Sequence, residues 1–121
     1  MTNKMKNMIS SELLKGSLRT IILKVLKEEG PMHGYLITQK VEQLSGGKIK
    51  LTYGALYPVL HRLKKERALV TATEIRNNRT RIYYALTPKG HSMVEEKIKE
   101  LVDFMESLQL IINSKPGLSH A

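Results

Sequence analysis

Six apolar residues near the C-terminus recur with the spacing of a heptad repeat, separated in turn by 4, 3, 4, 3 and 4 positions. They are Val94, Ile98, Leu101, Met105, Leu108 and Ile112. This spacing places every member on one stripe of a long helix, and Thr87 and Pro88 are suited to begin it. A chain of 121 residues has only a modest core to cover such a stripe. We therefore predict a dimerisation helix over 88–113 that pairs with a second copy, the alternative being a helix that covers its own domain.

The stretch 51–66 predicts another amphipathic helix, with two unlike faces. Leu56, Leu60 and Leu63 recur at i, i+4 and i+7 and form its apolar stripe, while the Thr52 hydroxyl can accept from the first turn. The opposite face is small where the helix begins and basic where it ends. Its residues are Gly54, Pro58, His61 and Lys65, flanked by Tyr57 and Arg62. A helix that reads DNA needs such a surface, although the solvated face of an ordinary amphipathic helix has the same pattern.

Two core helices are predicted ahead of this stretch, over 11–29 and 33–44. Gly16 interrupts the first helix, where a glycine can permit close packing. The second helix is expected to bury Ile37, Val41 and Leu44. The segment 48–51 alternates between polar and apolar residues and is extended enough for a bridge or a brief strand. Two short helices with a glycine-containing connection resemble a helix-turn-helix.

A β-hairpin is predicted after these helices, with strands over 69–74 and 81–86 that are rich in β-branched and aromatic residues. Asn77 and Asn78 tolerate a left-handed backbone and can form the turn. The tip carries three arginines, Arg76, Arg79 and Arg81. Arginines on a loop are usually only solvated, but a basic hairpin that follows a helix-turn-helix can lie along a DNA groove as a wing.

The charge of the chain favours an anionic partner, because 20 Lys and Arg face 11 Asp and Glu, a formal net charge of +9. No cysteine is present, and no apolar run approaches the roughly 20 residues that span a bilayer. Residues 1–9 are expected to form a flexible basic arm that lacks the apolar core of a signal peptide, and 114–121 a disordered tail. These features predict a soluble cytoplasmic protein without membrane contact.

Catalytic and metal-binding chemistry has little support in the sequence. Its four histidines are scattered and form no close ligand spacing: His33, His61, His91 and His120. The pair Glu95-Glu96 has no neighbouring group that would make it an acid/base dyad, and His33 before Gly34 is better explained as a helix cap or a residue at the rim of the core. We predict no catalytic residue, no metal site and no cofactor, and hence no enzyme.

Five sequence strings in this order resemble the PadR-like transcriptional regulators. They are Leu13-Leu-Lys-Gly-Ser-Leu18, Gly30-Pro-Met-His-Gly-Tyr35, Leu44-Ser-Gly-Gly47, Gly54-Ala-Leu-Tyr-Pro-Val-Leu-His-Arg-Leu63 and Arg81-Ile-Tyr-Tyr-Ala-Leu-Thr87. The resemblance covers residues 12–91, and the single helix after it is similar to the shorter subgroup of the family. It implies a winged helix-turn-helix, a homodimer through the C-terminal helix, and binding to a promoter palindrome, usually as a repressor. It also implies DNA contacts from Tyr35, the helix after Thr52 and the wing residues Arg79 and Arg81.

The chain departs from the family pattern at two places. The family commonly has glycine after the recognition helix, whereas Ala68 would pay about 1 kcal/mol in a left-handed cap, so the exit from this helix is expected to differ. Some members hold flat aromatic effectors between tryptophans at the dimer interface. This chain has no Trp, and Phe104 is the one aromatic residue of its last helix, which argues against a pocket of that kind for an unidentified small-molecule effector.

We therefore predict a mainly α fold with a small β-hairpin (α+β), in which a winged helix-turn-helix over 10–87 precedes the dimerisation helix over 88–113. The predicted function is sequence-specific binding of double-stranded DNA by a dimeric regulator. The predicted DNA-binding residues are Tyr35, Thr52, Tyr53, Gly54, Tyr57, His61, Arg62, Lys65, Arg76, Arg79 and Arg81. The alternative is a dimeric winged-helix module that binds a protein partner instead of specific DNA.

Overall fold

A computed structural model describes residues 8–116, and over that range the chain forms five helices and three strands. In chain order these are α1 (Ser11–Leu14), α2 (Leu18–Glu29), β1 (Met32–His33), α3 (Gly34–Leu44), α4 (Tyr53–Lys65), β2 (Leu69–Arg76), β3 (Arg79–Leu86) and α5 (Pro88–Ile112). The predicted fold class, mainly α with a small hairpin, is confirmed. Most of the predicted arm, the end of the predicted tail and His120 lie outside the described residues.

The core lies between α2, α3, α4 and the sheet, and it is built from the apolar stripes of the helices. Leu56, Leu60 and Leu63 of α4 are fully buried, as their spacing predicted. Ile37 and Val41 of α3 are buried as well. The prediction for Leu44 is wrong, since it stands 66% exposed in the last turn of α3, beyond the reach of this core. Burial of the α4 stripe fixes which face of that helix points outward.

The single helix predicted over 11–29 is two helices in the structure. The backbone N–H and the hydroxyl of Ser17 both donate to the carbonyl oxygen of Leu14, at 2.9 and 3.1 Å, which closes a tight turn and ends α1. Gly16 lies in this turn with no heavy atom within 4 Å of the position of a Cβ. The glycine therefore marks a break in the helix rather than a close contact, and Leu13 of α1 is left 77% exposed.

The sheet is antiparallel with the strand order β1-β3-β2. Met32 pairs with Tyr84 and His33 with Tyr83, so a strand forms at the start of α3 where none was predicted. The segment 48–51 forms no strand. Its backbone-to-backbone hydrogen bonds among the described residues are from the Ile9 N–H to the Lys48 carbonyl oxygen at 2.8 Å and from the Lys48 N–H to the Ser45 carbonyl oxygen at 3.3 Å.

The hairpin of β2 and β3 closes through the predicted pair Asn77 and Asn78, whose φ angles of 50° and 62° are left-handed. Two such central residues define a type I′ turn, which matches the twist of the strands it joins. Because that loop has only two residues, pairing continues to Arg76 opposite Arg79. Each strand is therefore two residues longer than predicted.

The exit from α4 differs from a glycine cap, as expected, but the strained residue is Arg67 rather than Ala68. Arg67 has a φ of 65°, and its N–H donates to the Lys64 carbonyl oxygen at 2.9 Å. The Ala68 N–H donates to the Leu63 carbonyl oxygen at 2.9 Å, which completes a Schellman motif. A bidentate ion pair between Arg19 of α2 and Glu66 holds the same turn.

The long helix α5 begins as predicted, with the Thr87 hydroxyl accepting from the Gly90 N–H at 3.0 Å and Pro88 in the first turn. Its first half packs on α2, and the Lys27 ammonium contacts the Glu95 carboxylate at 2.5 Å beside that contact. Val94 is fully buried and Ile98 is partly buried against the same core. Val94 therefore serves the domain's own core, which corrects its assignment to a dimer surface, whereas the assignment of the partly buried Ile98 stays a prediction.

Candidate nucleic-acid interface

The outer face of α4 is exposed because its inner face is anchored along its whole length. The Thr52 hydroxyl accepts from the Ala55 N–H at 3.1 Å and caps the helix as predicted. Gly54 has open space around it, the nearest atom to a Cβ position being the Thr52 hydroxyl oxygen at 3.8 Å. His61 and Lys65 are exposed further along, and Arg62, Lys64 and Lys65 complement the dipole at the end of the helix. The face is smooth at its start and cationic at its end.

A row of rings lies on this helix. Tyr53 and Tyr57 have ring centroids 5.6 Å apart, and Tyr57 stacks on His61 at 6.0 Å. Tyr57 is 45% exposed and its ring is available to a partner. The Tyr53 ring packs closely on Gly34, which has no side chain; a Cβ at that position would lie only 2.6 Å from the ring. The predicted contact residue Tyr53 therefore also fixes α4 to the start of α3.

Tyr84, a buried residue of β3, also interacts with Tyr53. Burial, and then the interaction with the Tyr53 side chain, raise the pKa of Tyr84 to about 12. The phenol is thus neutral at any physiological pH. Of the adjacent pair Tyr83 and Tyr84, the second lies in the core and the first lies on the outer side, as strand geometry requires.

His33 caps α3, as predicted for a histidine before Gly34. Its Nδ1 accepts from the Leu36 N–H at 3.3 Å, and its ring packs edge-on against Tyr83 with centroids 5.5 Å apart. Its Nε2 lies 3.4 Å from Nη1 of Arg81 in the wing. Burial, and then the charge of Arg81, lower the pKa of His33 below its ordinary value of 6.5, so the ring is neutral at neutral pH.

The three wing arginines are exposed but do not have the same surroundings. The Arg76 Nε lies 2.6 Å from the Glu74 carboxylate, an acid just outside the predicted turn. Glu74 is directly opposite Arg81 in the ladder, yet its ion pair is with Arg76. Arg79 and Arg81 keep their guanidinium charges without an ion pair to any described acid. Arg76 is therefore the weakest of the three as a phosphate ligand.

A cleft of about 420 Å³ separates the wing from the starts of α3 and α4. It is lined by His33, Gly34, Tyr35, Tyr53, Arg79, Thr80, Arg81 and Ile82. The structure thus brings together four predicted contact residues, Tyr35, Tyr53, Arg79 and Arg81. It does not bring Arg62 to this cleft, since Arg62 borders a separate groove with Pro58 and α1. The prediction left out His33, as it did Gly34, Thr80 and Ile82, although His33 stands two residues before Tyr35 in a string shared with the family.

Other chemistry finds no support in the part of the chain that the structure describes. No group of three His, Cys, Asp or Glu residues in 8–116 could hold a metal ion. Glu95 is not part of a carboxylate dyad, because a hydrogen bond from Lys27 lowers its pKa and occupies it. Within the same range, none of the helices is long and apolar enough to cross a membrane.

The comparison with known protein families decides the identity of this fold. Residues 22–96 match the model of the transcriptional regulator PadR-like family. The chain belongs to the PadR-like family. Members of this family are transcriptional regulators, so the predicted regulatory class, and with it the prediction that the protein is not an enzyme, is confirmed.

Individual similar proteins agree with this assignment. The transcriptional regulator YqjI of Escherichia coli is 34% identical over 91 residues, which cover 75% of this chain and 42% of YqjI. A transcriptional regulator from Clostridium thermocellum superposes with a TM-score of 0.74 at 27% identity, covering 84% of this chain and 95% of that one. Bacillus subtilis PadR in complex with operator DNA gives a TM-score of 0.61 at 26% identity, covering 67% and 45%.

Proposed function

We propose that this PadR-like regulator binds a double-stranded DNA operator in the cytoplasm, with α4 in the major groove and the wing along the adjacent phosphates, and that it represses transcription. The observation that carries the proposal is that the outer face of α4, small at its start and basic at its end, lies across the cleft from Arg79 and Arg81, which form no ion pair with a described acid. Helix α4 contains no Asp or Glu, which favours DNA over the alternative of a protein partner. Bacillus subtilis PadR, a similar chain, forms a complex with operator DNA.

Selection of genomic DNA fragments by the purified full chain, at a stated salt concentration, tests this proposal. We expect enrichment of a palindromic sequence, and we expect affinity for the enriched duplex to exceed that for random DNA by about a thousandfold or more. Recovery of fragments without a shared sequence would contradict specific binding. Placing the enriched sequence upstream of a reporter then tests the sign of regulation, since repression predicts lower expression when the regulator is present.

The second half of α5 supports the homodimer in this proposal. Four seam residues remain at or near the surface, Leu101, Met105, Leu108 and Ile112, the last of them 75% exposed. Leu101, Met105 and Leu108 border an apolar groove of about 720 Å³, together with Ile9 and Leu13. The groove suits a second copy of α5, because continuous apolar surfaces of this kind are normally covered in soluble proteins. Phe104 borders the same groove and offers one aromatic ring to a small-molecule effector.

Charge in this groove tests the dimer. Met105→Asp combined with Leu108→Asp should give a folded monomer in sedimentation experiments, because a dimer would bury two carboxylates from each chain without partners. Both residues are exposed in the single chain, so the fold itself should tolerate the change. Leu110→Asp is the matched control, since Leu110 is 76% exposed and nine residues from Leu101, on the opposite side of the helix. An intact dimer in the double variant would show that the seam is not the interface.

A further inference from the structure

The side chain of His33 has one nitrogen occupied by the cap of α3 and the other beside Arg81 at the cleft. Its Nδ1 accepts the Leu36 N–H at 3.3 Å, which requires a lone pair on that atom. A neutral imidazole carries its proton on one nitrogen only, so the proton of this ring is on Nε2. Contact with Tyr83 keeps the ring in this orientation. Nε2 is therefore a fixed hydrogen-bond donor at the edge of the cleft.

A second donor lies beside this one. Nη1 of Arg81 lies 3.4 Å from Nε2 of His33, and Nε2 cannot accept from it while the ring proton is on that atom. Two side-chain donors therefore lie next to each other, and no hydrogen bond within the described residues gives either of them an oxygen acceptor. Two adjacent donors, one of them cationic, are the arrangement that an anionic oxygen satisfies.

We propose that the His33 Nε2–H and the Arg81 guanidinium together hold one phosphate group of the DNA backbone. The proposal rests on the proposed function, and it deepens it by assigning a contact to a residue whose evident role is to cap α3. The open cleft beside the pair has room for a phosphate, and its other walls include Arg79 and the exposed Tyr35. A phosphate held here lies between the helix-turn-helix and the wing, so it sets the distance of the duplex from both.

Two substitutions separate the two roles of His33. The side-chain oxygen of asparagine reaches the position of Nδ1 and is a good N-cap acceptor, but the side chain is too short to reach the position of Nε2. Glutamine places an amide N–H near the position of Nε2 and loses the cap. His33→Asn should therefore keep the melting temperature and weaken DNA binding about tenfold. His33→Gln should lower the melting temperature and keep the affinity for DNA.

The duplex obtained by genomic selection is then used to find which phosphate is bound. Single phosphates of that duplex are replaced by uncharged methylphosphonates, one position at a time, and each is titrated with wild type, His33→Asn and Arg81→Ala. We expect one position, and its symmetry mate, where the replacement lowers the affinity of the wild type about tenfold or more and lowers the affinity of either variant much less. At all other positions the effects of the protein and DNA changes should multiply independently.

The outcomes distinguish this inference from the function on which it rests. If wild type binds no selected duplex, both fail. If wild type binds and His33→Asn binds equally well, or if its effect is independent of every phosphate, the assignment of His33 fails while DNA binding stands. Coupling of Arg81 alone to a phosphate would likewise remove His33 from the contact.

Discussion

The Thr87 hydroxyl donates a hydrogen bond to the carbonyl oxygen of Arg67 at 2.6 Å, which joins the end of α4 to the start of α5. The same hydroxyl oxygen accepts the Gly90 N–H at 3.0 Å, and the Thr87 N–H donates to the Ala68 carbonyl oxygen at 3.0 Å. Lys89 adds a bond to the Glu66 carbonyl oxygen at 2.9 Å. These hydrogen bonds directly couple α4, the helix proposed to contact DNA, to α5, the proposed dimerisation helix.

Gly90→Ala should disturb this junction. A Cβ on Gly90 would overlap the Ala68 carbonyl oxygen, which is backbone and cannot rotate away. We expect a loss of about 1–3 kcal/mol in the free energy of unfolding, measured by urea denaturation. Gly16→Ala is the control, since its surroundings are open and it should be neutral or slightly stabilising. Equal stability of the two variants would contradict the close contact.

Arg67→Gly should stabilise the protein. Arg67 has a φ of 65°, a conformation that costs a residue with a Cβ roughly 1 kcal/mol and costs glycine little. We expect the melting temperature to rise by about 4–8 °C for each kcal/mol gained. Arg67→Ala removes the same charge and keeps the strain, so it should not show this gain. A similar rise in both variants would assign the effect to charge.

Gly54→Gln should separate binding from folding. The site is open and helical, so the fold should persist, and stability can rise by some tenths of a kcal/mol. Specific DNA binding should fall about tenfold or more, because the new side chain stands between α4 and the duplex and about 1.4 kcal/mol suffices. Thermal melts of the same variant are the control for an intact fold. Full affinity in Gly54→Gln would remove this helix from the groove.

The wing should contribute to affinity without selecting sequence. Arg79→Ala with Arg81→Ala should weaken binding to all duplexes alike and reduce the slope of log K against log salt by about 1 for each lost phosphate contact. Arg76→Ala is expected to change the slope less, because its guanidinium is already paired with Glu74 at 2.6 Å. Titrations at several salt concentrations measure this, and an unchanged slope in the double variant would mean that the wing points to solvent.

Stability should depend on the protonation of His33. Burial, and then Arg81, lower its pKa in the folded state below the ordinary 6.5, so the unfolded chain binds this proton more readily. The stabilisation of the folded state by neutral His33 is therefore fully present above about pH 6.5 and is lost as the pH falls toward and through the pKa of the folded state. Urea unfolding between about pH 5 and pH 8 measures it. His33→Asn, which keeps a cap without a titrating group, should lack this part of the dependence.

The features predictable from sequence are those that local patterns determine. The spacing of Leu56, Leu60 and Leu63 identified the buried face of α4, and hence its outer face, because helical periodicity leaves no other arrangement. Thr52 and Thr87 were recognisable as caps because their hydroxyls act within one turn. The Asn77-Asn78 turn followed from the tolerance of asparagine for positive φ.

The features that escaped prediction depend on contacts distant in sequence. The strand Met32–His33 exists only because β3, some fifty residues later, lies beside it. The burial of Val94 follows from the packing of α5 on α2, which a heptad pattern cannot distinguish from packing on a second copy. The place of His33 beside Arg81 likewise requires the hairpin to fold back on α3.

The short first strand leaves the hairpin with unpaired backbone. Since β1 covers only Met32–His33, the stretch 79–82 of β3 has no neighbour on that side within the described chain, and β2 forms the other edge of the sheet. Exposed edges with apolar residues such as Ile75, which is 72% exposed, invite pairing with another hairpin and hence aggregation. Arginines along these edges oppose that association by mutual repulsion. The charges proposed to attract DNA would then also keep the free protein soluble, and a wing stripped of arginine should be handled at low protein concentration.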